Sequence, residues 1–122
     1  MDDFMLDTNF YPKNCIDLKN CETIDDLPAI KECFVVLLWC QWYGLDHTIR
    51  GMIVNYSKQY SHILFGFRSY SDDKEIPLFA PFLDPKKVPG SPACLIFYNG
   101  ILQSNIQGFL LPKEFEQLIN KY

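Results

Sequence analysis

Phe34-Val35-Val36-Leu37-Leu38-Trp39 runs without a polar residue into Cys40-Gln41-Trp42-Tyr43-Gly44-Leu45-Asp46, and this stretch decides the fold. The first six side chains are β-branched, aliphatic or aromatic and leave no solvated face, which predicts a strand buried on both sides and central in its sheet. A helix follows. From Leu45 the apolar positions Leu45, Ile49, Met52, Ile53, Tyr56 and Tyr60 recur at offsets of three and four, giving one buried face. Gly51, which costs about 1 kcal/mol relative to alanine inside a helix, marks an expected point of close packing. His62 to Phe67 supplies the next strand.

Further out, Ala93 to Tyr98 and Ile101 to Gln107 are joined by Asn99-Gly100, the residue pair suited to a type I′ hairpin turn. Pro112 to Tyr122 places Phe115, Leu118 and Ile119 opposite Lys113, Glu114, Glu116 and Gln117, an amphipathic helix with proline in its first turn. Towards the N-terminus, Asn14 to Leu18 reads as an edge strand. Glu22 to Glu32 reads as a helix capped by Thr23 or Asn20 and shortened or kinked by Pro28. Pro77, Pro81, Pro85, Pro89 and Pro92 make the segment after Arg68 a broken helix and loop. Early alternation of strand and helix implies parallel strands, and the late hairpin adds antiparallel ones. The expected architecture is α/β: a mixed central sheet of four to five strands with helices on both faces. One domain covers residues 14–122, preceded by an extension over 1–13.

The chain has 122 residues, 48% of them hydrophobic, enough for one closed core. Eleven Lys and Arg against fifteen Asp and Glu give a net charge of −4, with no basic run longer than Lys86-Lys87. Direct nucleic-acid binding, which needs clustered cations, is disfavoured. The apolar run Cys33 to Cys40 is far shorter than the roughly 20 residues needed to span a bilayer. The start, Met-Asp-Asp-Phe-Met-Leu-Asp, is acidic and lacks the basic flank of a signal peptide, so a cytoplasmic address is expected. The five cysteines, Cys15, Cys21, Cys33, Cys40 and Cys94, contain no Cys-x-x-Cys pair and read as buried free thiols.

At this point the chain, from about Asn14 to Tyr122, resembles a thioredoxin-family domain. Trp39-Cys40-Gln41-Trp42-Tyr43-Gly44 is similar to the family's Trp-x-x-Trp-Cys-Gly entry into the active-site helix. Ser91-Pro92 stands before a strand where the family keeps its cis-proline. Phe97-Tyr98-Asn99-Gly100 resembles the Phe-x-Asn-Gly hairpin, and Gln107-Gly108-Phe109 with Leu111-Pro112-Lys113-Glu114-Phe115 resembles the closing strand and last helix. The resemblance implies a thioredoxin-like fold with a cis peptide at Pro92. It also exposes departures. Tyr43-Gly44-Leu45-Asp46 stands in place of Cys-Gly-Pro-Cys, Leu37 in place of a buried acid, and Lys74 to Gly90 is longer than the family norm.

Disulfide exchange needs an attacking thiolate and a resolving thiol, and neither a phenol nor a carboxylate supplies one. No dithiol oxidoreductase activity, no metal and no cofactor are therefore expected. Asp46, in a first helical turn, is favoured there by the exposed N–H groups by about 0.3–1 kcal/mol. The resemblance leaves a peptide-binding groove in which Ser91 and Pro92 face a lip of Trp42, Tyr43, Gly44 and Leu45, with Phe109 on the third side. A second docking surface is expected from Phe4, Leu6, Phe10 and Tyr11 of the extension, with Phe79 and Phe82. The reading is a redox-inactive interaction module, an adaptor or scaffold that is one subunit of a larger protein assembly. The alternative is a degenerate single-thiol oxidoreductase or peptide-binding chaperone using Cys40, with His47 nearby.

Overall fold

The strand β2 (Cys33–Cys40) is buried at every position, because both of its faces are covered and both of its edges are paired. In the computed structural model the described residues are 11–23, 26–27, 32–40, 44–70, 78–84, 86, 92–108 and 111–122. Around β2 they form β1 (Cys15–Asp17), α1 (Gly44–Ser57), β3 (Leu64–Tyr70), β4 (Ala93–Tyr98), β5 (Ile101–Gln107) and α2 (Pro112–Ile119). The sheet order is β1-β3-β2-β4-β5. β1 and β2 lie parallel to β3, while β4 lies antiparallel to β2 and to β5. This is the mixed five-stranded sheet the sequence implied.

The Asn-Gly hairpin forms as expected. Asn99 (φ 54°) and Gly100 (φ 78°) both take the positive φ that a type I′ turn demands. β3 begins at Leu64, not His62, because the Ile63 amide closes a turn onto the Tyr60 carbonyl at 2.9 Å and leaves Ser61 and His62 exposed. Most of the helix expected over Glu22 to Glu32 falls outside the described residues. Within them, the Asp26 carboxylate accepts the amides of Glu22 (2.9 Å) and Thr23 (3.1 Å), which hold it below the usual carboxylate range.

The alternation of side chains splits the core into two layers. On one side Val35, Leu37, Phe65, Phe67 and Ile96 meet Ile49 and Ile53 of α1 and Phe115 and Ile119 of α2. The two helices are tied to each other by Tyr56, which donates to Glu116 Oε2 at 3.2 Å, and by Tyr60, which donates to Asn120 Oδ1 at 2.7 Å. On the other side Phe34, Val36, Leu38, Leu95 and Phe97 are covered by Leu18, Leu78 and Phe79, the last two beside a 3-10 turn over Ala80–Phe82. That cover is pinned by polar side chains. Arg68 donates to the carbonyls of Leu18 and Cys21, both at 2.6 Å, and Asn105 donates to the Phe82 carbonyl at 2.7 Å. Asn14 Nδ2 reaches the carbonyls of Ser57, Tyr60 and Ile63 at 2.9, 3.1 and 3.0 Å, closing the end of α1 onto β1.

Two helix expectations are corrected. Gly51 is exposed, and a Cβ placed there meets nothing within 4 Å, so it is not a close-packing point. The buried stripe of α1 is Asp46, Ile49, Arg50, Ile53 and Ser57, whereas Leu45 is 45% exposed. The stripe is rotated by one position because Asp46 and Arg50 have partners inside, described below.

All five cysteines are free; Cys15, Cys33, Cys40 and Cys94 are buried and Cys21 half-buried. Burial pushes the Cys33 thiol up to about 11 and the Cys94 thiol up to about 12. Between the ordinary thiol value near 9 and these raised values, the unfolded chain releases protons that the native chain retains. Stability is therefore expected to fall as pH rises above about 9 and to keep falling towards 11–12. Urea midpoints of the wild type and Cys94→Ala measured across that range check this: the wild-type loss is the steeper of the two.

Candidate functional site

Four strand ends meet at one end of the sheet. β2 and β3 finish there with Cys40 opposite Tyr70, and β4 starts there with Ala93 between Leu38 and Gln107. The Gly108 amide donates to the Pro92 carbonyl at 2.8 Å, joining the exit of β5 to the entry of β4. α1 begins at the same end with Gly44, whose carbonyl accepts the Thr48 hydroxyl at 3.2 Å.

Of the expected groove residues, Gly44 and Leu45 are exposed at this rim and Pro92 is buried beside it. Trp42, Tyr43, Ser91 and Phe109 lie outside the described residues, as do Phe4, Leu6 and Phe10 of the extension. The remaining docking candidates are placed differently from the expectation. Phe79 is fully buried in the second core layer. Phe82 is half-buried and stands edge-on to Phe97, ring centroids 5.1 Å apart. Tyr11 packs against Phe67 at 5.0 Å, inside the domain that was expected to begin at Asn14. Phe79 and Tyr11 are spent on the chain's own core, because the second sheet face and the flank of α1 both needed an aromatic cover.

Beneath the rim is a polar cluster that periodicity did not reveal. Asp46 is 1% exposed, and its Oδ2 accepts the Cys40 amide at 2.7 Å. The carboxyl thus bridges the last residue of β2 to the first turn of α1, satisfying a buried donor at a strand end. One turn on, the Arg50 guanidinium lies between two rings, 4.9 Å from the Trp39 centroid and 5.0 Å from that of Tyr11. Its Nε donates to the Tyr11 hydroxyl at 2.8 Å. Burial pushes the Tyr11 phenol up, with Arg50 opposing the shift. His47 stands edge-on to Trp39 at 5.0 Å. The available signal was Asp46 and Arg50 four residues apart on the stripe that also carries Ile49 and Ile53.

Chemically, the cluster holds rather than reacts. Cys40 is 1% exposed, with its backbone committed to Asp46. Among the described residues no group of three or more His, Cys, Asp or Glu gathers as a metal site would require. Nor is any helix among them long and apolar enough to cross a membrane.

No protein-family model and no curated protein matches the sequence. Among solved structures the chain is similar to a mutant thioredoxin from Halobacterium salinarum NRC-1, with a TM-score of 0.70. The match covers 92% of this chain and 93% of that one at 15% sequence identity. The fold is thioredoxin-like.

Proposed function

We propose that the chain is a redox-inactive thioredoxin-like interaction module, a scaffold or adaptor subunit that grips another protein at the rim where Gly44, Leu45 and Pro92 meet. The observation that carries this reading is the burial of Asp46. In Tyr43-Gly44-Leu45-Asp46 the last residue occupies the position that the resemblance gives to a resolving thiol, and its carboxyl fastens β2 to α1. A group committed to a backbone amide under the surface has no part in passing electrons to a substrate. What remains of described apolar surface at the rim is Leu45, 45% exposed, and the sequence just ahead of it supplies Trp42-Tyr43, residue types that dominate binding hot spots.

Single-thiol chemistry at Cys40 is the weaker reading, since a nucleophilic thiol needs solvent access and this one is enclosed. Two assays test the proposal together. Insulin reduction with dithiothreitol as donor is expected to run at the uncatalysed rate, and turnover near that of a dithiol thioredoxin would overturn it. Affinity purification from the native source is expected to recover a defined partner that Tyr43→Glu loses. A second bait lacking residues 2–10 keeps the Tyr11 contact and asks whether the extension contributes. Identical partners from all three baits would end the interaction reading at this face.

A further inference from the structure

Arg50 is 8% exposed, and among the described residues its one hydrogen-bond acceptor is the neutral Tyr11 hydroxyl, bound through Nε. Buried guanidinium groups are ordinarily paired with a carboxylate, because the charge gives up its hydration on entering the fold. No described carboxylate pairs with this one. The rings of Trp39 and Tyr11, 4.9 and 5.0 Å from Cζ, offset part of the lost hydration. They leave Nη1 and Nη2 without an acceptor among the described residues. Neither Nη atom is fully enclosed, so the fork they form opens to solvent. The result is a cation held rigidly between aromatic walls, with its two free donors at the surface.

We infer that this fork is a carboxylate-binding site, and that its occupant is a glutamate side chain of the protein gripped at the rim. Arg50 stands one turn beyond Asp46 on α1 and against Trp39, the residue before Cys40 at the end of β2, so the site lies beside that rim. A guanidinium whose Nε is already engaged presents Nη1 and Nη2 as parallel donors, the spacing of the two oxygens of one carboxylate. Screening by water is weak between the rings, which strengthens such a pair. A phosphate dianion fits less well. The ionisable neighbours Asp46 and Asp17 are acidic, and neither a lysine nor a second arginine joins the cluster among the described residues. The small opening favours glutamate, whose carboxylate stands two methylenes from its backbone, over a chain terminus. The inference rests on the rim reading only for the source of the carboxylate.

Titration of the purified full chain with the capped peptide acetyl-Gly-Glu-Gly-amide, followed by heteronuclear NMR at neutral pH, tests the site. The Arg50 Nε–Hε and Trp39 indole signals are expected to shift together and to saturate with a dissociation constant on the order of 10 mM. Acetyl-Gly-Gln-Gly-amide is expected to bind at least about tenfold more weakly, and so is acetyl-Gly-Gly-Gly, whose carboxylate is terminal. Arg50→Lys keeps the charge but not the fork, and is expected to weaken binding of the glutamate peptide about tenfold, read at Trp39. A thermal melt shows whether that variant folds; if it does not, the three peptides on the wild type decide alone. No saturating shift up to about 200 mM of the glutamate peptide overturns the inference, as does equal binding of the glutamine peptide. So does a folded Arg50→Lys chain that binds as tightly as the wild type. Equal binding of the terminal carboxylate overturns the assignment to a glutamate side chain. Because no partner is needed, failure here leaves the affinity purification above untouched, and failure there leaves this titration standing.

Discussion

Gly66→Val is expected to lower the unfolding free energy by about 3 kcal/mol. Gly66 sits in β3 between β1 and β2, opposite Ile16 and Val36. A Cβ there would stand 2.7 Å from Leu18 Cδ1 and 3.0 Å from Phe34 Cε1. Both neighbours are held in the core, Leu18 at 1% and Phe34 at 5% exposure, so neither side chain swings clear at low cost. The glycine is needed for space, not for backbone freedom. Gly66→Ala is expected to cost about 2 kcal/mol, and Leu18→Ala alone leaves a cavity. Combined, the two substitutions should cost less than their sum by about 1 kcal/mol, because the new methyl enters the volume the leucine vacated. Urea denaturation of the four proteins measures this. A valine variant within about 0.5 kcal/mol of the wild type would refute the packing argument.

The second large effect belongs to Asp46. Asp46→Leu keeps approximate volume but removes the acceptor of the Cys40 amide, leaving a buried donor unpaired at the end of the central strand. The expected loss is about 3 kcal/mol, combining that unpaired donor with the loss of the tie between β2 and α1. Asp46→Asn retains a carbonyl oxygen at the same reach and is expected to lose about 1 kcal/mol. Amide hydrogen exchange at Cys40 separates local from global consequences: protection collapses in the leucine variant and persists in the asparagine variant. Equal costs for the two substitutions would mean that the hydrogen bond is not what the carboxyl supplies.

The elements legible in the sequence were those whose signal is local. The unbroken run Phe34 to Trp39 specified a two-sided strand wherever it stood in the sheet, and Asn99-Gly100 specified its turn through backbone sterics alone. Pro112 and the stripe of Phe115 and Ile119 did the same for α2. What stayed hidden depends on partners far along the chain. Asn14 reads as the polar first residue of an edge strand, yet its amide reaches residues 57, 60 and 63. Nothing local in the sequence marks Arg50 for burial; it is buried because Tyr11 and Trp39, brought together only by the fold, offer it two ring faces. The same cause misplaced Tyr11 in a free extension and turned the buried stripe of α1 by one residue. At the rim, the resemblance named the positions, but composition alone had no means of telling a structural aspartate from a solvated one.

The unequal covering of the sheet also bears on how the molecule breathes. One face lies under two α-helices locked to each other through tyrosines. The other, among the described residues, rests under short irregular segments held by the side chains of Arg68, Asn105 and Gln107. Hydrogen bonds of that kind break one at a time, without the cooperativity of a helix docking as a unit. Rare openings of the native state should therefore break the hydrogen bonds of Arg68, Asn105 and Gln107 before they part α1 from α2.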